Sequence, residues 1–305
     1  MANKILITGS SGTIGTRLFE TMLENGYKVV GFDRKINKWR KDLDKLTMKG
    51  DLTLKENIEK IPKDIDLIIH LAANARVYDL VQDPNLALEN VITTYNVLEF
   101  ARKNNVKKII FAGSREAYGN RDKAVAKEED ARIELSESPY AASKISNESF
   151  VCAYSKCYGI DHVILRFSNV YGMYDESDRF VPLMIRKMKK NEDILIFGRD
   201  KVLDFTYIDD CIVGILKAVK SFSKVKNNTF NITYGKGSNL VEVAKEIKKL
   251  LKSKSTIIIK KNRLGEVEKF IGNVVKSKKY LDYKPRFAIK KGLKLSVAWY
   301  NRPTY

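Results

Sequence analysis

The sequence contains a tyrosine and a lysine whose spacing suits proton transfer. Tyr140 and Lys144 lie four residues apart in a helical pattern that follows Pro139, so both side chains are expected on one face of a helix. A tyrosine with a pKa near 10 is a poor base at neutral pH, and lowering that pKa by about three units requires roughly 4 kcal/mol of phenolate stabilisation. A nearby ammonium group is one source of that stabilisation. The pattern also arises by chance on lysine-rich helices, so it needs support from other residues.

A serine and a glutamate provide that support. The apolar run 108–112 continues as Ala112-Gly-Ser114-Arg-Glu116, which places Ser114 at the carboxyl end of a predicted strand, where open α/β sheets bind ligands. Its hydroxyl is expected to hydrogen-bond the substrate oxygen that Tyr140 would deprotonate. Glu116 adds a second titratable group that could serve as an acid or a base. The predicted catalytic residues are therefore Ser114, Glu116, Tyr140 and Lys144.

A glycine-rich turn follows the first apolar run. The segment Thr8-Gly9-Ser-Ser-Gly12-Thr-Ile-Gly15 leads into a helical pattern. Its glycines allow a tight turn and a close approach of the backbone to a diphosphate, which the helix N-terminus then binds. The spacing is Gly-x-x-Gly-x-x-Gly rather than the Gly-x-Gly-x-x-Gly of the common dehydrogenase fingerprint.

Asp33 closes the second predicted strand, where a carboxylate hydrogen-bonds the adenosine ribose hydroxyls and repels a 2′-phosphate. The turn and Asp33 together predict NAD as the cofactor rather than NADP. The adjacent Arg34 and Lys35 could neutralise a phosphate and weaken that choice. The positive charge of an oxidised nicotinamide would help Lys144 to stabilise the Tyr140 phenolate.

The elements that must position these residues are short apolar strands alternating with helical patterns. We predict strands at 4–8, 28–32, 67–71, 108–112, 162–167 and 229–232, and helices at 14–25 and 86–104. Continuous apolar strands indicate a parallel sheet buried on both faces. The expected fold is α/β, a Rossmann-like doubly wound parallel sheet with a smaller C-terminal substrate-binding lobe. Residues 1–171 with about 202–233 would form the NAD-binding domain, and 172–201 with 234–305 the substrate-binding lobe.

Composition excludes several classes of protein. The chain has 305 residues, of which 44% are hydrophobic, so disorder is not expected. It contains no apolar run of the roughly 18 residues that a membrane span needs. Three cysteines without metal-ligand spacing and two histidines predict reduced thiols, a cytoplasmic location and no metal site.

The charge is unevenly distributed along the chain. Formal net charge is +19, and residues 221–305 alone hold 21 Lys/Arg against 5 Asp/Glu. Such a region suits an anionic ligand, a nucleic acid or an anionic membrane surface. The alternative is that segments such as 243–252 are amphipathic helices with solvated lysine faces. We favour the alternative, because no aromatic residues alternate with the basic ones, and we expect no nucleic-acid or membrane partner.

With these residues in place, the chain resembles the extended short-chain dehydrogenase/reductase family, in its nucleotide-sugar epimerase and dehydratase branch. The resemblance covers nearly the whole length. It is carried by the turn at 9–15 and Asp33, Gly50-Asp51-Leu52, His70-Leu-Ala-Ala73, Asn90-Val-Ile-Thr-Thr-Tyr-Asn-Val-Leu-Glu99, Ser114, Ser138-Pro-Tyr-Ala-Ala-Ser-Lys144, Arg166-Phe-Ser-Asn-Val-Tyr-Gly172, Asp204-Phe-Thr-Tyr-Ile-Asp-Asp210 and Arg263-Leu-Gly-Glu-Val267.

The resemblance implies a role for each matching residue. Tyr140 would be the base at the sugar 4-hydroxyl, Lys144 its partner and a ligand of the nicotinamide ribose, and Ser114 a shared hydrogen-bond donor. A nucleotide-diphosphate sugar would be held by Asn90, Ser114, Asn169 and Arg263. A homodimer through two helices of each subunit is also implied. NAD would be held by Gly9, Ser11, Gly12, Thr13, Ile14, Gly15, Asp33, Arg34, Asp51, Leu52, Leu71, Ala72, Ala73, Tyr140 and Lys144.

Two positions depart from the family pattern. Leu203 stands where relatives usually carry an arginine that grips the substrate phosphates, and Arg199 or Lys201 would have to replace it. Arg115 stands where 4,6-dehydratases place the first of two acid–base carboxylates, whereas Glu116 fits the second. Removal of water needs both an acid and a base, and Arg115 does not readily donate a proton.

The leading hypothesis is an NAD-dependent nucleotide-sugar 4-epimerase. Tyr140 would assist oxidation at C4 to a 4-keto sugar, and hydride would return to the opposite face. A 4,6-dehydratase or a uronate decarboxylase that uses Glu116 is the alternative. A more distant alternative is a non-catalytic dinucleotide-binding protein with a basic RNA-binding lobe.

Overall fold

The computed structural model describes residues 4–302, so residues 1–3 and 303–305 of the two predicted units lie outside the described residues. The strands within that range are β1 (Ile5–Thr8), β2 (Val29–Asp33), β3 (Thr47–Lys49), β4 (Leu67–His70), β5 (Lys108–Ser114), β6 (Val125–Ala126), β7 (Asp161–Phe167), β8 (Asn169–Tyr171), β9 (Ile194–Phe197), β10 (Val202–Tyr207), β11 (Asn228–Ile232), β12 (Gly237–Asn239), β13 (Ile257–Lys260) and β14 (Lys269–Gly272).

The helices of the same range alternate with these strands. They are α1 (Thr13–Glu24), α2 (Lys41–Lys45), α3 (Lys55–Ile58), α4 (Val77–Gln82), α5 (Asn85–Lys103), α6 (Pro139–Tyr158), α7 (Phe180–Lys189), α8 (Ile208–Lys220), α9 (Phe222–Val225), α10 (Leu240–Leu251), α11 (Val275–Leu281) and α12 (Ile289–Tyr300). Short 3-10 turns occupy Arg115–Tyr118, Glu128–Asp130 and Ile133–Leu135.

The main sheet has seven strands in the order β3-β2-β1-β4-β5-β7-β11, and every pair in it is parallel. This arrangement confirms the predicted Rossmann-like doubly wound sheet. All six predicted strands belong to it, with ends shifted by one or two residues. Strand β3 was not predicted, because its three residues contain no continuous apolar run. The strand order reverses between β1 and β4, where such sheets bind ligands.

The sheet is buried on both faces. Ile5 and Ile7 of β1 belong to the core on one face, whereas Leu6 packs into the core on the other. Helices α1 and α8 contact each other on the first face, and α5 and α6 contact each other on the second. Apolar residues on both faces of the strands therefore produce a layered α/β arrangement in which the strand ends, rather than the sheet faces, remain open for a ligand.

A smaller mixed sheet lies beside the main one. Strand β10 pairs antiparallel with β12 and parallel with both β8 and β14, and β14 pairs with β6. Strands β9 and β13 form a separate parallel pair, and α7, α10 and α12 contact one another. The division of the chain into a cofactor-binding domain and a substrate-binding lobe remains a prediction, and β10 joins segments that the sequence assigned to both.

The basic C-terminal region contains an amphipathic helix, as the favoured interpretation of its charge required. On α10, Leu240, Val243 and Ile247 are buried, whereas Lys245 and Lys249 are exposed. Cys152, Cys157 and Cys211 are unpaired thiols. Among residues 4–302, no helix is both long enough and apolar enough to cross a bilayer.

Candidate active site

One large cavity opens at the carboxyl ends of the main-sheet strands. Its volume is about 1020 Å³, at the upper end of the range of roughly 300–1,000 Å³ that is typical of ligand sites. Every residue that the sequence predicted for cofactor, substrate or catalysis lines this cavity. They are Gly9, Ser11, Gly12, Thr13, Ile14, Gly15, Asp33, Arg34, Asp51, Leu52, Leu71, Ala72, Ala73, Asn90, Ser114, Glu116, Tyr140, Lys144, Asn169 and Arg263.

The glycine turn links β1 to α1, and its shape depends on missing side chains. Gly9 has a φ of +73°, and a Cβ on it would lie 2.8 Å from the Ala72 nitrogen. A Cβ on Gly15 would lie 2.0 Å from the Gly9 carbonyl oxygen, so the helix packs against the turn only without it. Gly12 caps α1 without a side-chain hydrogen bond. The first N–H groups of the helix are thus free of side-chain partners and suit a diphosphate.

Asp33 and Arg34 lie beside this turn. The Asp33 carboxylate accepts hydrogen bonds from the backbone N–H of Ser11 (2.9 Å) and of Lys35 (2.7 Å), so the acidic group is held against the glycine turn. The Arg34 guanidinium donates to Asn74 Oδ1 at 2.7 Å and to Glu89 at 3.5 Å. Because Arg34 is engaged by these acceptors, it does not neutralise Asp33. The arrangement favours an unphosphorylated ribose over a 2′-phosphate.

The β3 and β4 ends complete the cofactor side of the cavity. Asp51 Oδ1 accepts hydrogen bonds from the Thr53 nitrogen and hydroxyl, each at 2.8 Å. Burial alone would raise the pKa of Asp51, but these bonds and the Arg34 charge outweigh it, and the pKa is lowered. Ala72 N donates to Thr8 Oγ1 at 3.4 Å, and that hydroxyl contacts His70 Nδ1 at 2.6 Å.

The proposed base and its lysine partner lie in the first turns of α6. Ser138 caps this helix by accepting a hydrogen bond from Ala141 N at 3.2 Å, and Pro139 occupies the first helical position. Tyr140 and Lys144 share one face, as predicted, and both are buried. The Lys144 Nζ donates to the Ala112 carbonyl at 2.9 Å and lies 5.9 Å from the Tyr140 ring centroid.

Burial shifts the pKa values of both predicted catalytic residues of α6, Tyr140 and Lys144. Burial raises the pKa of Tyr140, while the nearby Ser114 hydroxyl and the charges of Arg179 and Arg115 act in the opposite direction. Burial also lowers the pKa of Lys144 to about 8, against the opposing charge of Glu148. The protein's own groups therefore leave the phenol protonated at neutral pH, and the lowering expected from the sequence needs the additional positive charge of the cofactor.

Glu116 points into the cavity next to Ser114. Its Oε1 pairs with Arg115 Nη2 at 2.7 Å, whereas its Oε2 and Arg115 Nη1 are buried without hydrogen-bond partners in the structure. Burial raises the pKa of Glu116; the Arg115 and Lys201 charges oppose that rise, and Glu266 adds to it. The arginine that stands at position 115 in place of a carboxylate therefore neutralises the charge of Glu116.

The predicted substrate-binding residues differ in the contacts that they make within the protein. Arg263 lies between two aromatic rings, with its guanidinium carbon 3.7 Å from the Phe197 centroid and 4.4 Å from that of Tyr78. Asn169 Nδ2 donates to the Asp204 carbonyl at 3.0 Å. Asn90 is buried, and its amide both donates to and accepts from the Asn74 main chain. The roles of these residues toward a substrate stay predictions.

The structure separates the two candidates for replacing the missing arginine. Leu203 is buried within β10 and offers no charge. Arg199 is exposed and does not line the cavity, whereas Lys201 lines it with a side chain only 3% exposed. Lys201 forms an ion pair with Glu266.

Sequence reasoning gave no role to several charged residues of the cavity, among them Arg76, Arg179 and Glu266. Arg179 immediately precedes α7, and its positive charge lowers the pKa of Tyr140. Arg76 follows the β4 end, and Glu266 lies beside Arg263. Their position after a strand or beside a predicted ligand residue could have identified them as residues of the site, because loops at the carboxyl ends of strands form such sites. In the part of the chain that the structure describes, no His, Cys, Asp and Glu side chains group to hold a metal ion.

The known proteins that this chain resembles include epimerases of nucleotide sugars. The sequence profile of the NAD dependent epimerase/dehydratase family matches residues 5–233. A UDP-glucuronate 4-epimerase of Thermodesulfobacterium geofontis is 28% identical, over 96% of this chain and 95% of its own length.

Two solved structures resemble the whole chain. UDP-glucose 4-epimerase of Thermotoga maritima with UDP-glucose is 30% identical, with a TM-score of 0.89 over 99% of this chain and 100% of its own. UDP-glucuronic acid 4-epimerase of Bacillus cereus, in complex with UDP-glucuronic acid and NAD, is 28% identical, with a TM-score of 0.88 over 97% and 98% of the respective chains.

The chain's own residues fit the NAD that the Bacillus cereus structure contains. A turn that excludes side chains at Gly9 and Gly15, free N–H groups at the start of α1 and a carboxylate at Asp33 suit the diphosphate and ribose of NAD. Tyr140 and Lys144 lie in the same cavity. The chain therefore belongs to the NAD dependent epimerase/dehydratase family, and its cofactor is NAD.

Proposed function

We propose that the chain is a nucleotide-sugar 4-epimerase that acts on a UDP-sugar. The observation that carries the proposal is the convergence of Ser114, Tyr140 and Lys144 in the cavity that also contains the glycine turn and Asp33. Relatives named for UDP-glucose and for UDP-glucuronate support the nucleotide and a reaction at C4.

The chain's residues would divide the work at the sugar 4-hydroxyl. Tyr140 would remove its proton, and Ser114 would hold the same oxygen by a hydrogen bond. Lys144 is fixed by the Ala112 carbonyl, so its ammonium lies at a constant position near the phenol. Bound NAD would supply the acceptor and donor of hydride at C4. In the return step Tyr140 would give the proton back, so no net acid or base is consumed.

Glu116 has no part in this proposal. Epimerisation at C4 needs one group that removes and returns a proton, and Tyr140 is that group. Arg115 neutralises Glu116, which argues against a free carboxylate base. A dehydratase or decarboxylase remains the second candidate, because Glu116 keeps one oxygen unpartnered and has a raised pKa, as an acid near the sugar would.

Product analysis by proton NMR tests the proposal. We would incubate the protein and NAD with UDP-glucose and, separately, with UDP-glucuronate. A new 4-epimer without net NADH is expected, and Tyr140→Phe should abolish it while NAD binding persists. A 4-keto product with a C6 methyl doublet, or loss of the carboxyl carbon, would contradict epimerisation and assign the chemistry to Glu116. NAD binding without turnover of any sugar, together with salt-sensitive RNA binding, would favour the non-catalytic alternative.

A homodimer is part of the same proposal. Leu88, Ile92 and Tyr95 lie at helical spacing on α5 and are exposed by 58%, 36% and 39%. Tyr95 also contacts Phe150 of the adjacent α6. Two helices that present apolar side chains side by side suit a symmetric pairing with the same helices of a second subunit. A cytoplasmic location, consistent with the unpaired thiols, also stays a prediction.

A further inference from the structure

Lys201 is a buried cation of the cavity that the mechanism above does not use. Its side chain is 3% exposed, and its Nζ bonds a carboxylate oxygen of Glu266. Burying an ammonium group is unfavourable unless an anion accompanies it. Lys201 immediately precedes β10, so its backbone is fixed by the smaller sheet. The backbone that carries this cation therefore does not depend on which anion the ammonium binds.

Glu266 lies between two cations. Its Oε2 binds Lys201, and its Oε1 lies 3.9 Å from Arg263 Nη1. The rings of Tyr78 and Phe197 hold the Arg263 guanidinium from both sides. Glu266 itself is 26% exposed, against 3% for Lys201, so the carboxylate has room to turn away from Lys201 toward solvent. Lys201 and Arg263 thus form a pair of cations that could bind an anion, and in this structure the Glu266 carboxylate is that anion.

The cluster lies within reach of the reaction centre. The charges of Lys201 and Glu266 both act on the pKa of Glu116, which follows Ser114 at the end of β5. All these residues line the same cavity. A ligand that occupies the cavity from Tyr140 to Arg263 therefore shares that cavity with Lys201. In a nucleotide sugar, the group attached directly to the sugar ring is the diphosphate.

We propose that Lys201 binds the diphosphate of the substrate and that the Glu266 carboxylate occupies this place until the substrate arrives. The proposal rests on the proposed nucleotide-sugar function and names a residue that binds the substrate. A diphosphate carries negative charge that Glu266 would repel, so Glu266 leaves Lys201 as the substrate enters. Lys201 thereby supplies the cation that buried Leu203 cannot, and Glu266 weakens the binding of anions that lack the rest of the substrate.

The test measures UDP binding to the NAD-loaded protein by isothermal titration calorimetry. Lys201→Met should weaken UDP about tenfold, the scale of one charge-assisted hydrogen bond. Glu266→Gln should tighten UDP roughly threefold, because Lys201 and Arg263 no longer face a competing carboxylate. Arg199→Met, which removes the exposed neighbouring cation, should leave the affinity unchanged.

The opposite signs of the two effects distinguish this proposal from a structural ion pair. If the pair only supported the fold, both variants would lower the melting temperature and both would weaken UDP, and the proposal would be overturned. It is equally overturned if Lys201→Met keeps wild-type affinity, or if Arg199→Met carries the loss. The double variant Lys201→Met/Glu266→Gln leaves no unpaired buried charge and should still bind UDP more weakly than the wild type.

Sugar turnover separates this proposal from the proposed function. Epimerisation of a UDP-sugar combined with an unchanged UDP affinity of Lys201→Met would overturn only the role of Lys201. Weakened UDP binding in Lys201→Met without any turnover by the wild type would leave the role of Lys201 standing and remove the epimerase. Absence of UDP binding to the wild type would overturn both.

Discussion

Replacing Lys144 with methionine should stabilise the fold while it abolishes turnover. The lysine is buried, and burial lowers its pKa from 10.5 to about 8. At about 1.4 kcal/mol per pKa unit, this shift corresponds to about 3 kcal/mol of destabilisation at pH 7. Methionine removes that destabilisation but leaves the Ala112 carbonyl without its 2.9 Å donor, which costs about 1 kcal/mol. Lys144→Met should therefore be about 2 kcal/mol more stable than the wild type.

The effect should depend on pH in a defined direction. The folded-state pKa of Lys144 is depressed below its unfolded value, so the unfolded chain binds more protons between about pH 8 and 10.5. The wild type therefore gains stability as pH rises through this window, and the destabilisation is fully present below it. The advantage of Lys144→Met should shrink from about 2 kcal/mol at pH 7 to near zero at pH 10.

Urea unfolding of the cofactor-free protein, followed by circular dichroism at pH 7 and pH 10, measures this difference. Lys156→Met on the same helix is the control, because Lys156 is exposed and its replacement should show no such dependence. A stability difference between Lys144→Met and the wild type that stays constant from pH 7 to pH 10 would refute the reasoning. It would mean that water reaches the Lys144 ammonium in the folded state.

Three further outcomes follow from the structure. Gly15→Ala should weaken NAD binding by about a hundredfold in a fluorescence titration. The added Cβ would lie 2.0 Å from the Gly9 oxygen, so the glycine turn must shift. Wild-type affinity would contradict the binding of the NAD diphosphate by this turn. Glu116→Gln should keep the rate of epimerisation within about threefold, since one proton-transfer group suffices, whereas complete loss of the 4-epimer by NMR would mean that Glu116 takes part in the reaction. If the proposed homodimer forms, Leu88→Glu should convert it into monomers in sedimentation velocity, because the glutamate places a charge on the apolar face of α5. An unchanged sedimentation coefficient would rule out that interface.

The parts of the site that the sequence predicted correctly depend on local pattern. A glycine turn between a strand and a helix has few alternative shapes, so the closeness of Gly15 to Gly9 follows from a few adjacent residues. Tyr140 and Lys144 share a face because helix geometry dictates it. The parallel, doubly wound character of the main sheet follows from the alternation of apolar strands and helices, and the predicted strand ends are correct to within one or two residues.

The contacts that the sequence did not predict join residues distant along the chain. Lys201 and Glu266 are 65 positions apart, and nothing near either residue indicates that they pair. The sequence offered Arg34 as a counter-charge for a 2′-phosphate, and its contact with Asn74 Oδ1, 40 positions away, was not apparent from the sequence. Such outcomes depend on which loops meet above the sheet, and loops at strand ends vary in length and path without changing the strand pattern.

Tyr140 shows why the chemistry of a residue does not follow from its type and spacing alone. Spacing correctly placed Lys144 nearby, yet burial dominates and raises the pKa of the phenol. The groups that oppose this rise are the Ser114 hydroxyl and the charges of Arg179 and Arg115, of which Arg179 was not recognised in the sequence. A base that must be deprotonated near neutral pH therefore depends on cations supplied by a loop and by the cofactor.

This dependence makes Arg179 a determinant of the pH profile. Because Arg179 lowers the pKa of Tyr140, Arg179→Met should raise it and move the rising limb of kcat against pH toward higher pH by roughly half a unit, about threefold in rate at a fixed pH below the pKa. Lys190→Met at the far end of α7 is the matched control, since that side chain is 74% exposed. A limb that stays in place in Arg179→Met, or moves toward lower pH, would show that Arg179 does not act on the phenol. The pKa of Tyr140 would then be set by burial, Ser114 and Arg115 within the protein, and by the charge of bound NAD.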